Sequence, residues 1–204
     1  MQAHINKLFI LIVISICLVG CGRSPKLNPL SSNAVILAFG DSLTYGTGAE
    51  IDQSYPAVLQ KIIGRKVINM GVPGELSAEG LKRLPGVLDE VKPQLRILCH
   101  GGNDLLRKTG ESAAADNLRA MVKLAKSHGI DVIIIAVPKP GLSISPPEYY
   151  ETVAKENNIP IEVNILSVVL KDNSMKSDMV HPNANGYKIV AEGIARLLEK
   201  AKAL

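Results

Sequence analysis

The sequence predicts an α/β fold: a three-layer α/β/α sandwich around a mostly parallel five-stranded sheet. Two observations carry this. Short apolar runs alternate with longer amphipathic segments over residues 34–204, the pattern of strand–helix units joined by right-handed crossovers. Unbroken Ile/Val runs such as Val132-Ile133-Ile134-Ile135 suit strands buried on both faces, as in a parallel sheet.

The predicted strands are Val35–Phe39, Lys66–Met70, Leu95–Cys99 and Val132–Val137, with a weaker one at Ile159–Val163. Helical patterns fill Gln53–Ile63, Ser77–Leu88, Ser112–His128, Glu148–Asn157 and Ala184–Lys202. The third helix sets Leu118, Met121, Val122 and Ala125 on one face and stops at Gly129, a left-handed cap. The last aligns Tyr187, Val190, Ile194, Leu197 and Ala201 in one stripe. Gly22–Asn33 holds Ser24, Pro25, Pro29, Ser31 and Ser32 without hydrophobic periodicity and reads as a flexible tether.

A length of 204 residues favours one domain with a real core. Hydrophobic content of 47% and charge of 21% exclude a disordered chain. Aromatics make up 3% and Trp is missing from the sequence, which argues against stacking platforms for bases or sugars. The net charge is +4, and +3 without residues 1–20, which carry only Lys7. No basic block occurs, so no nucleic-acid partner is expected.

Lys7 precedes an apolar run from Leu8 to Val19, too short to span a bilayer comfortably. A basic residue, a short apolar region and small residues form the layout of a secretory signal. The run ends in Leu18-Val19-Gly20-Cys21, which resembles a bacterial lipoprotein signal cleaved before a lipidated cysteine. That resemblance implies a signal over 1–20, a lipidated Cys21 opening the tether over 21–33, and a domain over 34–204. It also implies a protein exported to the bacterial cell envelope and anchored in a membrane, since several acyl chains on one residue anchor stably. Cys17 then leaves with the signal, and Cys99 remains as a lone buried strand residue without a disulfide partner.

Active sites of open α/β sheets lie at the carboxyl ends of the strands. Ser42 follows the first strand, Gly71 and Gly74 the second, and Gly102-Asn103-Asp104 the third. Ser42 needs a base, because a serine hydroxyl alone is a poor nucleophile. Its setting, Gly40-Asp41-Ser42-Leu43-Thr44, lacks the second glycine of the Gly-x-Ser-x-Gly elbow. His181 supplies a base, and Asp178, three residues earlier, is close enough in a turn to hold one ring nitrogen. His100 is an alternative base, near the same strand ends. For the developing oxyanion, Asn103 offers a side-chain amide and Gly74 a backbone N–H, with Gly71 a competing glycine. Each residue alone has an ordinary structural reading: Ser42 as a helix cap, Asp178-x-x-His181 as a surface turn, Gly74 and Asn103 as loop residues.

Together, Gly40-Asp41-Ser42-Leu43, a glycine after the second strand, Gly102-Asn103-Asp104 and Asp178-x-x-His181-Pro182 resemble the four blocks of the SGNH/GDSL hydrolases. The match runs from Val35 to the C-terminus. It implies the flavodoxin-like fold of that family, Ser42 as nucleophile, His181 as base and Asp178 as its orienter. It also implies an oxyanion hole from the Ser42 and Gly74 backbone N–H groups and the Asn103 side chain. Within the family, Asn69-Met70-Gly71-Val72-Pro73-Gly74-Glu75 resembles the arylesterase and lysophospholipase/thioesterase I branch. The expected reaction is hydrolysis of a small-molecule ester or thioester through an acyl-enzyme on Ser42, without metal or cofactor. Two other readings stand beside it: a carbohydrate O-acetylesterase of the cell envelope, and a non-catalytic lipid-anchored binding protein on the same fold. Gly46-Thr47-Gly48 fails the dinucleotide pattern, since its third glycine falls at Ile51. Asp178, His181 and Cys99 show no metal-ligand spacing.

Overall fold

The apolar runs form the interior of the computed structural model, which describes residues 25–141 and 143–204. The expected signal over 1–20 and the lipidated Cys21 lie outside the described residues. Five strands, β1 Val35–Gly40, β2 Lys66–Gly71, β3 Leu95–Cys99, β4 Asp131–Ile135 and β5 Ile161–Glu162, form one sheet in the order β2-β1-β3-β4-β5. All four pairings are parallel, with Phe39 beside both Met70 and Leu98. Burial follows position in the sheet. Every residue of β3 is buried, whereas edge strand β2 is only half covered and edge strand β5 shrinks to two residues.

The helices are α1 Ser42–Tyr45, α2 Tyr55–Ile63, α3 Ser77–Val91, α4 Gly102–Arg107, α5 Glu111–Ser127, α6 Tyr149–Asn157, α7 Ile165–Lys171 and α8 Ala184–Lys200. Helix α8 packs on α2 and α7 against one face of the sheet, while α5 packs on α3 and α6 against the other. This is the expected three-layer sandwich. Each large apolar side chain buried between layers contributes about 1.5–3 kcal/mol. In α8 the buried stripe uses Leu198, with Leu197 only half covered, because the face turned to the sheet also takes Ala191 and Ala195. Three helices went unread in the sequence: α1 and α4 are one or two turns long, and α7 is a short apolar stretch. Among the described residues no helix is long and apolar enough to cross a membrane.

The segment read as a flexible tether is a correction from Leu27 onward. Leu27 and Leu30 are buried, and their N–H groups donate to Ala201 and Ala203 carbonyls, each at 2.9 Å. Asn28 N–H donates to Asp131 (2.8 Å), Gln94 to the Pro29 carbonyl (3.2 Å), and Arg65 to the Ser31 carbonyl (3.3 Å). These partners stand at the amino ends of β4, β3 and β2. The segment is therefore a strap across the bottom of the sheet, opposite the strand ends that carry Ser42 and Asn103.

Candidate active site

The first strand delivers Ser42 through a short capped turn. Asp41 is buried and N-caps α1, its Oδ1 accepting from Leu43 N–H at 3.1 Å and its carbonyl from Thr44 and Tyr45 N–H. Its Oδ2 faces the Gly102 backbone. Burial pushes the Asp41 carboxyl up, while His100, the Leu43 and Gly102 N–H groups and His181 partly offset that shift. Ser42 occupies the first helical position and is half-buried.

Ser42 Oγ lies 2.9 Å from His181 Nε2, and His181 Nδ1 lies 2.7 Å from Asp178 Oδ2. Asp178 Oδ1 accepts the backbone N–H groups of Val180 (2.8 Å) and His181 (2.9 Å), so the turn carrying the imidazole is closed by the carboxylate that orients it. Burial works to raise the Asp178 pKa, but these N–H donors and the imidazole outweigh it, and the pKa falls below the usual carboxylate range. The hairpin is pinned at its base by Ser177 N–H donating to the His181 carbonyl at 2.9 Å.

Gly74 sits at the third position of the turn Val72-Pro73-Gly74-Glu75, closed by Glu75 N–H to the Val72 carbonyl at 3.2 Å. Its φ of 79° is the left-handed value that a Pro-Gly turn of this kind requires. Gly71 differs. Its N–H donates to Asn69 Oδ1 (3.0 Å), and a Cβ there would meet Tyr45 N at 2.1 Å. Asn103, at the start of α4, gives one amide hydrogen to the Glu75 carbonyl at 3.0 Å. Neighbouring Asp104 is buried and accepts from Ser77 N–H (2.9 Å) and Ser77 Oγ (2.7 Å), locking α4 to the start of α3.

Ser42, Gly74, Asn103 and His181 line one cavity of about 370 Å³. Its walls are mostly apolar, with Leu43, Pro73, Leu106, Val137, Ile144 and Met179 among them, the character of a small-molecule site. The loop after β4 contributes Pro138–Gly141 and Ile144. His100 is not at the cavity. It is fully buried, with Nε2 on Glu75 Oε2 (3.0 Å) and Nδ1 accepting Gly101 N–H (2.9 Å), so it does not serve Ser42 as a base. His128 caps the far end of α5 through the Leu124 carbonyl. Among the described residues no three His, Cys, Asp or Glu side chains converge as metal ligands. Cys99 is buried, and its thiol is pushed well up by that burial and by nearby Asp41, which keeps it unreactive.

A family model described as the GDSL-like lipase/acylhydrolase family matches residues 38–189, three quarters of the chain. The chain belongs to this family. It is an ester-hydrolysing serine hydrolase. A curated arylesterase of Vibrio mimicus is 31% identical over 176 residues, covering 81% of this chain and 88% of that protein. Esterase TesA of Pseudomonas aeruginosa is 32% identical over 131 residues, covering 62% of this chain and 65% of that protein, just under two thirds of its length. A crystal structure of TesA superposes with a TM-score of 0.73 at 28% identity, covering 82% of this chain and 99% of that one.

Sequence reasoning did not single out Glu75 and Arg83 for a role. Arg83 makes a two-pronged ion pair with Glu75, from Nε (2.6 Å) and Nη2 (2.7 Å). Nη2 also reaches the carbonyls of Met70 (2.9 Å) and Gly40 (3.3 Å), at the ends of β2 and β1. The sole sequence signal is an acid and an arginine eight residues apart, which alone has no meaning.

Proposed function

We propose that this chain hydrolyses carboxylic esters or thioesters with an apolar acyl part through an acyl-enzyme on Ser42. The observation that carries the reading is the unbroken chain Ser42 Oγ–His181–Asp178 opening on an apolar cavity beside Gly74 and Asn103. His181 Nε2 takes the Ser42 proton as Oγ attacks the carbonyl carbon. Asp178 keeps the other ring proton on Nδ1 and stabilises the imidazolium that forms. The backbone N–H groups of Ser42 and Gly74 and the second amide hydrogen of Asn103 meet the charge on the tetrahedral oxyanion. His181 then protonates the departing alcohol or thiol, and water repeats the sequence on the acyl-enzyme. The engaged N–H of Gly71 favours Gly74 as the glycine donor. The arylesterase name of the Vibrio mimicus relative supports an ester substrate. A fluorophosphonate probe should label Ser42 and Ser42→Ala should abolish p-nitrophenyl ester hydrolysis; a folded Ser42→Ala protein with undiminished turnover overturns the assignment.

We also infer export and anchoring through lipidated Cys21, on the strength of Leu18-Val19-Gly20-Cys21. The strap supports a particular orientation. It runs under the amino ends of the strands, so an anchor at Cys21 enters the domain on the face opposite the cavity. Leu27, the first docked residue, lies six chain steps from Cys21, a reach of at most about 20 Å. That short reach keeps the cavity turned away from the anchoring membrane. Mass analysis of the detergent-extracted protein should find the acyl groups on Cys21; an unmodified Cys21 in the membrane fraction refutes the anchor.

A further inference from the structure

We propose that Glu75, clamped by Arg83 and His100, is the positioning hub of the oxyanion hole. This rests on Gly74 and Asn103 being the oxyanion donors. Glu75 touches each donor by a different atom. Its N–H closes the turn that presents Gly74, and its carbonyl takes one hydrogen of the Asn103 amide, which leaves the other hydrogen free for the cavity. Its carboxylate is held by the two prongs of Arg83, and the same guanidinium binds the Gly40 carbonyl, two residues before Ser42. One ion pair thus ties together the backbone leading to all three donors. Arg83 is itself fixed, its guanidinium stacked 4.0 Å from the Phe39 ring centroid.

His100 completes the clamp. Because Gly101 N–H donates to Nδ1, the ring proton resides on Nε2 and points at Glu75 Oε2. Tyr150 Oη donates to the His100 carbonyl at 2.8 Å, fixing the peptide that leads into Gly102-Asn103. Helix α3 is shaped to receive the imidazole: a Cβ on Gly80 would meet His100 Nε2 at 2.4 Å. A glycine inside a helix lowers its stability, yet here it gives the ring its seat. None of these groups lines the cavity, so Glu75 acts through Gly74 and Asn103 and not on substrate.

The test is steady-state kinetics on purified protein with a p-nitrophenyl ester. Glu75→Gln keeps the backbone N–H and carbonyl but removes the charge that both clamps hold. Displaced donors by up to an ångström should lower kcat on the order of 10- to 100-fold, with KM within about twofold, because the ground-state ester barely uses them. Affinity for a trifluoromethyl ketone, which forms the tetrahedral adduct on Ser42, should fall in the same proportion. His100→Gln, which can still donate to Glu75, should retain more kcat than His100→Leu, and this pair serves if Glu75→Gln does not fold. In an Asn103→Ala background Glu75→Gln should cost less than in the wild type, by the share it exerts through Asn103, since the two losses have that donor in common. Folded Glu75→Gln with wild-type kcat, or full additivity with Asn103→Ala, overturns the hub. Failure of the underlying reading looks different: Ser42→Ala or Asn103→Ala would then keep wild-type turnover.

Discussion

Replacing Asp178 by Asn tests the triad through a consequence specific to this geometry. Asp178 Oδ1 accepts two backbone N–H groups, from Val180 and His181. An Asn side chain must keep its carbonyl oxygen there, because turning the amide over would set NH₂ against two donors. The Asn nitrogen is then forced to the Oδ2 position, 2.7 Å from His181 Nδ1. An NH₂ group facing Nδ1 makes that nitrogen the acceptor and moves the ring proton to Nε2. Nε2 is the atom 2.9 Å from Ser42 Oγ, and with a proton on it the base no longer accepts. The backbone of the turn is undisturbed, so the loss is electronic and tautomeric. In serine triads this inversion costs about 10⁴ in kcat, or roughly 5.4 kcal/mol of transition-state stabilisation. The assay is p-nitrophenyl ester turnover alongside ¹⁵N NMR of His181, with Nδ1 protonated in the wild type and Nε2 in the variant. Activity above a few per cent of wild type, or Nδ1 still protonated in Asp178→Asn, refutes the reasoning.

Asn103→Ala removes one oxyanion donor and should lower kcat by about 10²- to 10³-fold with little change in KM; an equal rise in KM would mean that the side chain holds ground-state substrate instead. The depressed Asp178 pKa gives a signed prediction for acid: its stabilisation is complete above the unfolded carboxylate value, near about 3.9, and is lost as pH falls through the lower folded value. Asp178 is half exposed, so the effect is under about 1 kcal/mol, and the thermal midpoints of wild type and Asp178→Asn should draw together as the pH is lowered through the acid range. In helix α3, Gly86 has open space where a Cβ would go, whereas Gly80 abuts His100. Gly86→Ala should therefore stabilise by about 0.5–1 kcal/mol and Gly80→Ala should destabilise, as read by chemical denaturation. Arg96 is fully buried in β3 and donates to the Met121 carbonyl (2.8 Å), while its Nε and Nη1 find no partner among the described residues. Burial pulls its pKa down to about 9, and Arg96→Met should raise the melting temperature by several degrees, at about 2–4 °C per kcal/mol.

Strands buried on both faces were legible because such positions favour apolar β-formers, as Val132–Ile135 shows, with Arg96 of β3 the buried exception. Asp178 and His181 were legible because their bond is local, three residues along one turn. Glu75, Arg83 and His100 were not, since β2, α3 and β3 bring them together and no spacing in the chain records it. The tether was misread for a related reason. Leu27 and Leu30 are two apolar residues without period, and their hydrogen-bond partners at Ala201 and Ala203 are more than 170 residues away. Helix α7 carried a readable signal in Leu166, Val169 and Leu170, three buried positions at helical spacing, but the run is only seven residues long.

Strand order explains why the donors come from these three loops. Strand β1 lies between β2 and β3, because the chain leaves β2 and crosses to the other side of β1. Ser42, at the end of β1, is thereby flanked by the loops that carry Gly74 and Asn103. A sequential order β1-β2-β3 would leave Ser42 beside only one of them. The base arrives independently, on the segment before α8, and its distance to Ser42 is set by how α8 packs on α2. Tyr187 of α8 donates to the Thr47 carbonyl at 2.8 Å, joining that helix to the chain five residues beyond Ser42. The Asp178–His181 turn therefore makes a competent base by itself, but the contact of α8 with α2 and Thr47 decides that the base reaches the serine.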